Sequence, residues 1–284
     1  MKSAAIAAIE YYLPEKTVSN GDLTREFPDW SVQKIADKTG IDVRHIAADG
    51  ECSSDLAAAA AEKLFREGVD RTTIDYLLFC TQSPDYFLPT SACLLQQRLR
   101  IPTSAGALDF NLGCSGYVYG LGVAKGLLET GQASRVLLLT GETYSKMLAP
   151  QDRSVRTLFG DGGSATLVEA IDAGPGAPPW LGPFVYGTDG TGGRNLIVET
   201  GAFRKPCAPA VTGTSDAGSP ARPTLFMDGG EIFAFSLSMV PKAVFSLLQQ
   251  AEVSVSAVDL FVFHQANRHM LEHLRRKCGI PEDR

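Results

Sequence analysis

Residues 64–79 and 248–263 align without a gap at an offset of 184. Both read as the end of a helix, a Val, a polar turn, Ile-Asp or Val-Asp, and then four apolar residues (Tyr-Leu-Leu-Phe and Leu-Phe-Val-Phe). Two buried strands can resemble each other by chance, but the shared Val-x-x-x-x-[Ile/Val]-Asp frame favours duplication. A duplicated chain folds as two similar halves, here 1–171 and 181–284. The join is the Pro- and Gly-rich stretch 172–180, which breaks every period around it.

The first half alternates strand and helix. Residues 3–10, 74–81, 105–110 and 135–140 read as strands, and 41–46 as a further short extended stretch. Runs 74–81 and 135–140 are continuously apolar, as strands buried on both faces are. Helices are expected at 31–39, 54–68, 90–100 and 118–131, with Gly40, Gly68 and Gly131 closing three of them. This is an α/β pattern with helices on both faces of a sheet. The second half has a long helix at 231–250, a strand at 258–263 and a helix at 265–278, after a loop at 204–224 rich in Pro, Gly, Ser and Thr. The repeat exposes an absence. Counterparts of 105–110 and 135–140, shifted by 184, fall past residue 284, so the second half looks incomplete.

Cys114 lies in Asn-Leu-Gly-Cys-Ser-Gly-Tyr, where a strand hands over to the N-terminus of a largely apolar helix. Free N–H groups and the positive end of the helix dipole favour thiolate there. Gly113, Ser115 and Gly116 are small enough to admit a substrate carbonyl, and the Cys114 N–H could donate to an oxyanion. A small cysteine filling a helix–sheet contact explains the stretch equally well. His264 closes the apolar run 258–263 at the repeat position held by Cys80 in the first half. A polar residue ending such a strand projects into the cleft beyond it, although a lone His is more often structural.

Composition narrows the function. Hydrophobic residues are 44% and charged residues 20%, which is ordinary for a globular protein, and the net charge is −6. No Lys/Arg-rich run favours nucleic acid or an anionic membrane. No apolar run approaches the ~20 residues that span a bilayer. The six cysteines are far apart, with no CxxC pair and no signal peptide, which predicts a soluble cytoplasmic protein with free thiols. Gly120-x-Gly122 lies within the helix and is no dinucleotide fingerprint. His269 and His273 lack the Glu placement of a zinc protease, so no metal is expected.

Three ordered motifs carry a resemblance that spans the chain from Ala4 onward. They are the Cys114 stretch, Phe-Gly-Asp-Gly-Gly-Ser at 159–164, and Phe-His264-Gln-Ala-Asn267. Together with Lys38-Thr-Gly-Ile and Asp152-Arg153, the chain resembles the beta-ketoacyl-acyl carrier protein synthase III group of the thiolase superfamily. The resemblance implies a five-layered αβαβα thiolase-like fold and a homodimer. It implies a decarboxylative Claisen condensation of an acyl-CoA primer with malonyl-acyl carrier protein through an acyl-cysteine. Cofactors are none, the CoA thioester being substrate. Cys114 matches the family nucleophile. His264 matches the histidine that donates to the malonyl thioester oxygen.

Substrate positions follow from the same resemblance. Arg153 matches an arginine near the CoA adenine. Asn267 and Phe233 match positions along the pantetheine channel, and Leu88 matches the residue that enters the partner subunit's acyl pocket. The family's adenine clamp falls on Lys34, so Trp30, four residues earlier, is the candidate replacement. The position used by some members to dock the carrier protein is His269. The family's third catalytic residue is an Asn in a Gly-Asn-Thr-Ser type segment that these residues do not contain, so a C-terminal part is expected to be missing. Two other functions stay open: an acyltransferase passing the Cys114-bound acyl group to an O or N acceptor, and an inactive scaffold subunit.

Overall fold

A computed structural model describes residues 2–174, 180–207 and 223–284. In chain order the elements are β1 (Lys2–Tyr12), β2 (Thr17–Ser19), α1 (Asn20–Glu26), α2 (Val32–Thr39), β3 (Val43–His45), α3 (Ser53–Arg66), β4 (Tyr76–Cys80) and α4 (Ser91–Arg98). There follow β5 (Gly106–Phe110), α5 (Gly116–Glu129), β6 (Arg135–Glu142), α6 (Arg153–Arg156), β7 (Gly162–Asp172), β8 (Leu196–Val198), β9 (Leu225–Met227), α7 (Gly229–Gln250) and α8 (Arg268–Lys277). They form two compact units. The first comprises Met1–Val18, Val43–Thr143 and Gly160–Phe184, and the second Ser19–Asp42, Tyr144–Phe159 and Val185–Arg284.

The first unit is built on a five-stranded sheet in the order β1-β7-β6-β4-β5. The strands β5, β4 and β6 run parallel, while β7 is antiparallel to both β6 and β1. Alternation along the strands sorts two cores. Leu77 and Phe79 of β4 and Leu137 and Leu139 of β6 pack with Ala57, Ala60, Ala61 and Leu64 of α3 and Leu95 of α4. Leu78, Val136 and Leu138 pack on the opposite face with Leu121, Ala124 and Leu128 of α5. Two-sided burial explains the uninterrupted apolar runs.

Sequence reading missed β7. Its opening glycines suggest a tight turn, since Gly weakens strands. They serve closeness instead: a Cβ on Gly163 would run into the backbone of α3 at Leu56 and Ala57. Residues Ala165, Thr166, Leu167 and Val168 are all buried, as suits a strand inside the sheet.

In the second unit, Ser19 and Ser31 cap α1 and α2, each accepting a backbone N–H, and Gly40 ends α2 at a φ of 69°. The strands β8 and β9 pair antiparallel. The long helix α7 carries Pro241 in its interior, which leaves the Leu237 carbonyl without its usual helical donor. Lys277 Nζ of α8 fills that role at 2.7 Å. Apart from Pro241, no α7 residue is buried.

Two expectations are corrected here. Residues 258–263 form no strand. In the first unit the matching strand β4 is flanked by β5 and β6, and among the described residues no strand pairs with 258–263. Val262 is accordingly 83% exposed, and the extended segment is tied at Phe261 N to Arg284 O (2.8 Å). Secondly, α7 is long and apolar enough to cross a membrane by length and composition, with a mean hydropathy of 1.5. Core helices of soluble proteins meet the same criterion, so the helix alone is weak evidence of insertion. The expected connection at 172–180 and loop at 204–224 lie largely outside the described residues.

Candidate active site

Cys114 occupies the turn between β5 and α5, one residue before the N-cap Ser115. The turn is held from below by the end of β4. Thr81 N donates to Phe110 O (3.2 Å), Cys80 Sγ donates to Leu112 O (3.2 Å), and Gly116 N closes the turn on Gly113 O (2.8 Å). A Cβ on Gly116 would collide with Cys80 Sγ, so only glycine lets α5 begin this close to the sheet. Burial pushes the Cys80 thiol up to about 11, which leaves it an inert support.

Cys114 itself is exposed. Enough protein nevertheless surrounds the sulfur that partial desolvation raises its pKa, helped by the charge of Glu142 and opposed by the Cys114 backbone N–H. The net direction is opposite to the thiolate-favouring environment expected from the helix terminus.

Glu142, which sequence reading did not single out, borders the cysteine loop through the 81–83 turn. It ends β6 beside the 81–83 turn, with Oε1 accepting from Gln82 N (2.7 Å) and Oε2 from Ser83 Oγ (2.8 Å). Burial pushes its carboxyl up to about 7, with Asp161 adding to the rise and hydrogen bonds from the Gln82 backbone and from the Ser83 hydroxyl and backbone opposing it.

The second unit holds His264, Asn267, Phe233, Trp30 and Arg153. His264 lies in the extended segment ahead of α8, and desolvation lowers its pKa, favouring the neutral ring. Asn267 is the N-cap of α8, its Oδ1 accepting from Met270 N (2.9 Å). The Phe233 ring stacks on His269 at 5.5 Å and meets His273 edge-on at 5.6 Å. Arg153, placed by resemblance near the CoA adenine, and Trp30, the candidate replacement for the missing adenine clamp, are neighbours here: the guanidinium lies 5.9 Å from the indole centroid and is ion-paired to Asp29. Lys34 (5.2 Å) and Lys38 (5.5 Å) also approach that indole, making a cationic aromatic patch. A cavity of about 530 Å³ opens beside Gly40, Phe261, Phe263, Asn267, Arg268 and Arg275.

Leu88 belongs to the first unit and is 85% exposed, next to the exposed Tyr86 and Phe87. Among the described residues no group of three or more His, Cys, Asp or Glu could hold a metal ion.

Known proteins share both the sequence and the fold. The family profile for 3-oxoacyl-[acyl-carrier-protein (ACP)] synthase III matches residues 108–190, and the profile for its C-terminal part matches 248–284. The chain is 33% identical over 283 residues to the beta-ketoacyl-[acyl-carrier-protein] synthase III of Caldanaerobacter subterraneus, covering 99% of this chain and 82% of that protein. A crystal structure of a 3-oxoacyl-(acyl-carrier-protein) synthase III superimposes with a TM-score of 0.91 at 53% identity, over 99% of this chain and 84% of that one. A second, from Burkholderia xenovorans LB400, gives a TM-score of 0.87 at 41% identity, covering 100% of this chain and 80% of that one. The thiolase-like fold implied by the motifs is therefore the fold of this chain. With its cysteine turn inside the first matched region and its histidine inside the second, the chain belongs to the 3-oxoacyl-[acyl-carrier-protein] synthase III family.

Proposed function

We propose that the chain is a condensing enzyme that joins an acyl-CoA primer to malonyl-acyl carrier protein by decarboxylative Claisen condensation. The observation that carries this reading is an exposed cysteine on a strand-to-helix turn, within the region matched to the family. In the first step the Cys114 thiolate attacks the thioester carbonyl of acyl-CoA. A C–S bond forms to Cys114, and the CoA thiolate leaves and takes up a proton. In the second step malonyl-acyl carrier protein loses CO2, and the electron pair of the broken C–C bond forms the new C–C bond to the acyl carbon. The Cys114 thiolate is released. His264, held neutral by desolvation, has an N–H to donate to the malonyl thioester oxygen as negative charge gathers there.

The remaining roles belong to the same reading. The Trp30–Arg153 patch offers an aromatic face and cations to an adenine nucleotide. Phe233 and Asn267 are assigned to the pantetheine channel. The exposed Tyr86-Phe87-Leu88 tip suits insertion into a second copy, which supports a homodimer. The six free cysteines suit a reducing cytoplasm, and no cofactor beyond the thioester substrate is required.

Acyl-CoA added to the full chain should produce a mass adduct on the Cys114 peptide, and Cys114→Ala should abolish it. Malonyl-acyl carrier protein should then release CO2 and give a beta-ketoacyl product. His264→Ala should keep the adduct and lose the CO2 step by about 100-fold or more. Intact protein with no adduct would refute the reading. An adduct discharged to an O or N acceptor without CO2 would replace condensation by simple acyl transfer.

A further inference from the structure

We propose that Glu142 is a positioning residue for the loading of Cys114, gripping the turn that buttresses the cysteine loop and setting its carboxylate behind that turn. The inference rests on the reading of Cys114 as the nucleophile.

The geometry forms a continuous chain of contacts in the first unit. Both carboxyl oxygens of Glu142 are committed to the 81–83 turn, one to Gln82 N (2.7 Å) and one to Ser83 Oγ (2.8 Å). The same Ser83 hydroxyl accepts from Thr143 N (2.9 Å), and Ser83 O accepts from Ser53 Oγ at the start of α3 (2.7 Å). The turn is thereby fixed to β6 and to α3. Its other side meets the cysteine loop: a Cβ on Gly113 would stand 2.5 Å from Gln82 Oε1, so the Gln82 carboxamide rests against the residue before Cys114. Freed from Glu142, the turn would lose two of the bonds that set this contact.

Charge acts along the same line. Glu142 is pushed by Asp161 and itself pushes on Cys114 and Cys80, all of them anionic when ionised. Among the described residues no Lys, Arg or His forms an ion pair with Glu142. Across α3 and the loop after β4, Asp55 and Asp85 are engaged elsewhere, with Cys52 N (2.6 Å) and the Ser54 hydroxyl (2.5 Å). A protonated Glu142 leaves the Cys114 thiolate less opposed, and an ionised one opposes it. Because the carboxyl titrates at about 7, this change falls within the working range of pH.

The test is the rate of Cys114 alkylation by iodoacetamide in the full chain, followed by mass at the Cys114 peptide from pH 5.5 to 10. Glu142→Gln keeps an acceptor for Gln82 N but carries no charge. Its rate profile should move to lower pH, with alkylation at pH 8.5 about threefold to tenfold faster than in the parent chain. Glu142→Ala loses the grip as well, and loading from acyl-CoA should fall about tenfold, with Glu142→Gln restoring most of the loss. The parent profile should depart from a single ionisation near pH 7, a signature readable even if a variant fails to fold. A parent profile with one ionisation, or superimposable parent and Glu142→Gln profiles, would overturn the proposal. Alkylation needs no acyl-CoA, so this outcome is independent of whether the acyl adduct forms.

Discussion

At Cys114 three local forces act on one sulfur. Partial desolvation and the Glu142 charge raise the thiol pKa, and the backbone N–H lowers it. Loading therefore depends on what a bound thioester does to that balance more than on a resting thiolate. Glu142 has a thermodynamic counterpart to this role. Its pKa is raised in the folded chain from 4.5 to about 7, so the folded state holds a proton that the unfolded state releases between those values. The stability linked to this proton is fully present below about pH 4.5 and is lost as pH rises through 7. Glu142→Gln should be more stable than the parent at pH 8 by about 2–3 kcal/mol, and the two should converge below pH 5, as read by denaturant melts. Cys114 stands out in the sequence because a strand, a run of small residues and an apolar helix all converge on it. Glu142 does not, because its contacts are with a turn sixty residues away, which no local pattern encodes.

Among the elements, α8 shows how a residue assigned by motif also has a mechanical task. Asn267 caps the helix through Met270 N, and its own φ of −166° is ordinary extended backbone. Asn267→Ala should cost about 1 kcal/mol of stability, whereas Asn267→Asp should keep the cap. If the pantetheine assignment also holds, Asn267→Asp should raise the KM for acyl-CoA without a stability loss, which steady-state kinetics on that variant would show. Helices were read from sequence to within a few residues because caps and breakers are local: Ser31 and Gly40 bracket α2, and Gly131 follows α5. The strand at 258–263 was misread for the complementary reason. An apolar quartet records a capacity to be buried, and a strand exists only where another backbone completes its ladder. In β4 that requirement is met on both sides.

For the molecule as a whole, the sequence suggests two successive halves, and the grouping of segments does not follow chain order. Residues 19–42 and 144–159 join residues 185–284 in one compact unit, although both come from the first half of the chain. Their ties are charge pairs such as Arg156 to Glu26 (2.7 Å) and the contact of Gly40 with Arg268 of α8. A fragment of residues 1–184 should keep its sheet but leave α1, α2 and α6 poorly anchored. Trypsin should therefore cut it at Arg25, Lys34, Lys38, Arg153 and Arg156 faster than it cuts the full chain, which timed digestion with mass detection would show. The backbone passes from one unit to the other five times, near residues 18, 42, 143, 159 and 184. A single recombination point in the gene consequently cannot exchange either unit with a homologue intact. Swapped chimaeras of such enzymes must carry matched segments at several places, and specificity inherited through one exchanged block would arrive with its supports left behind.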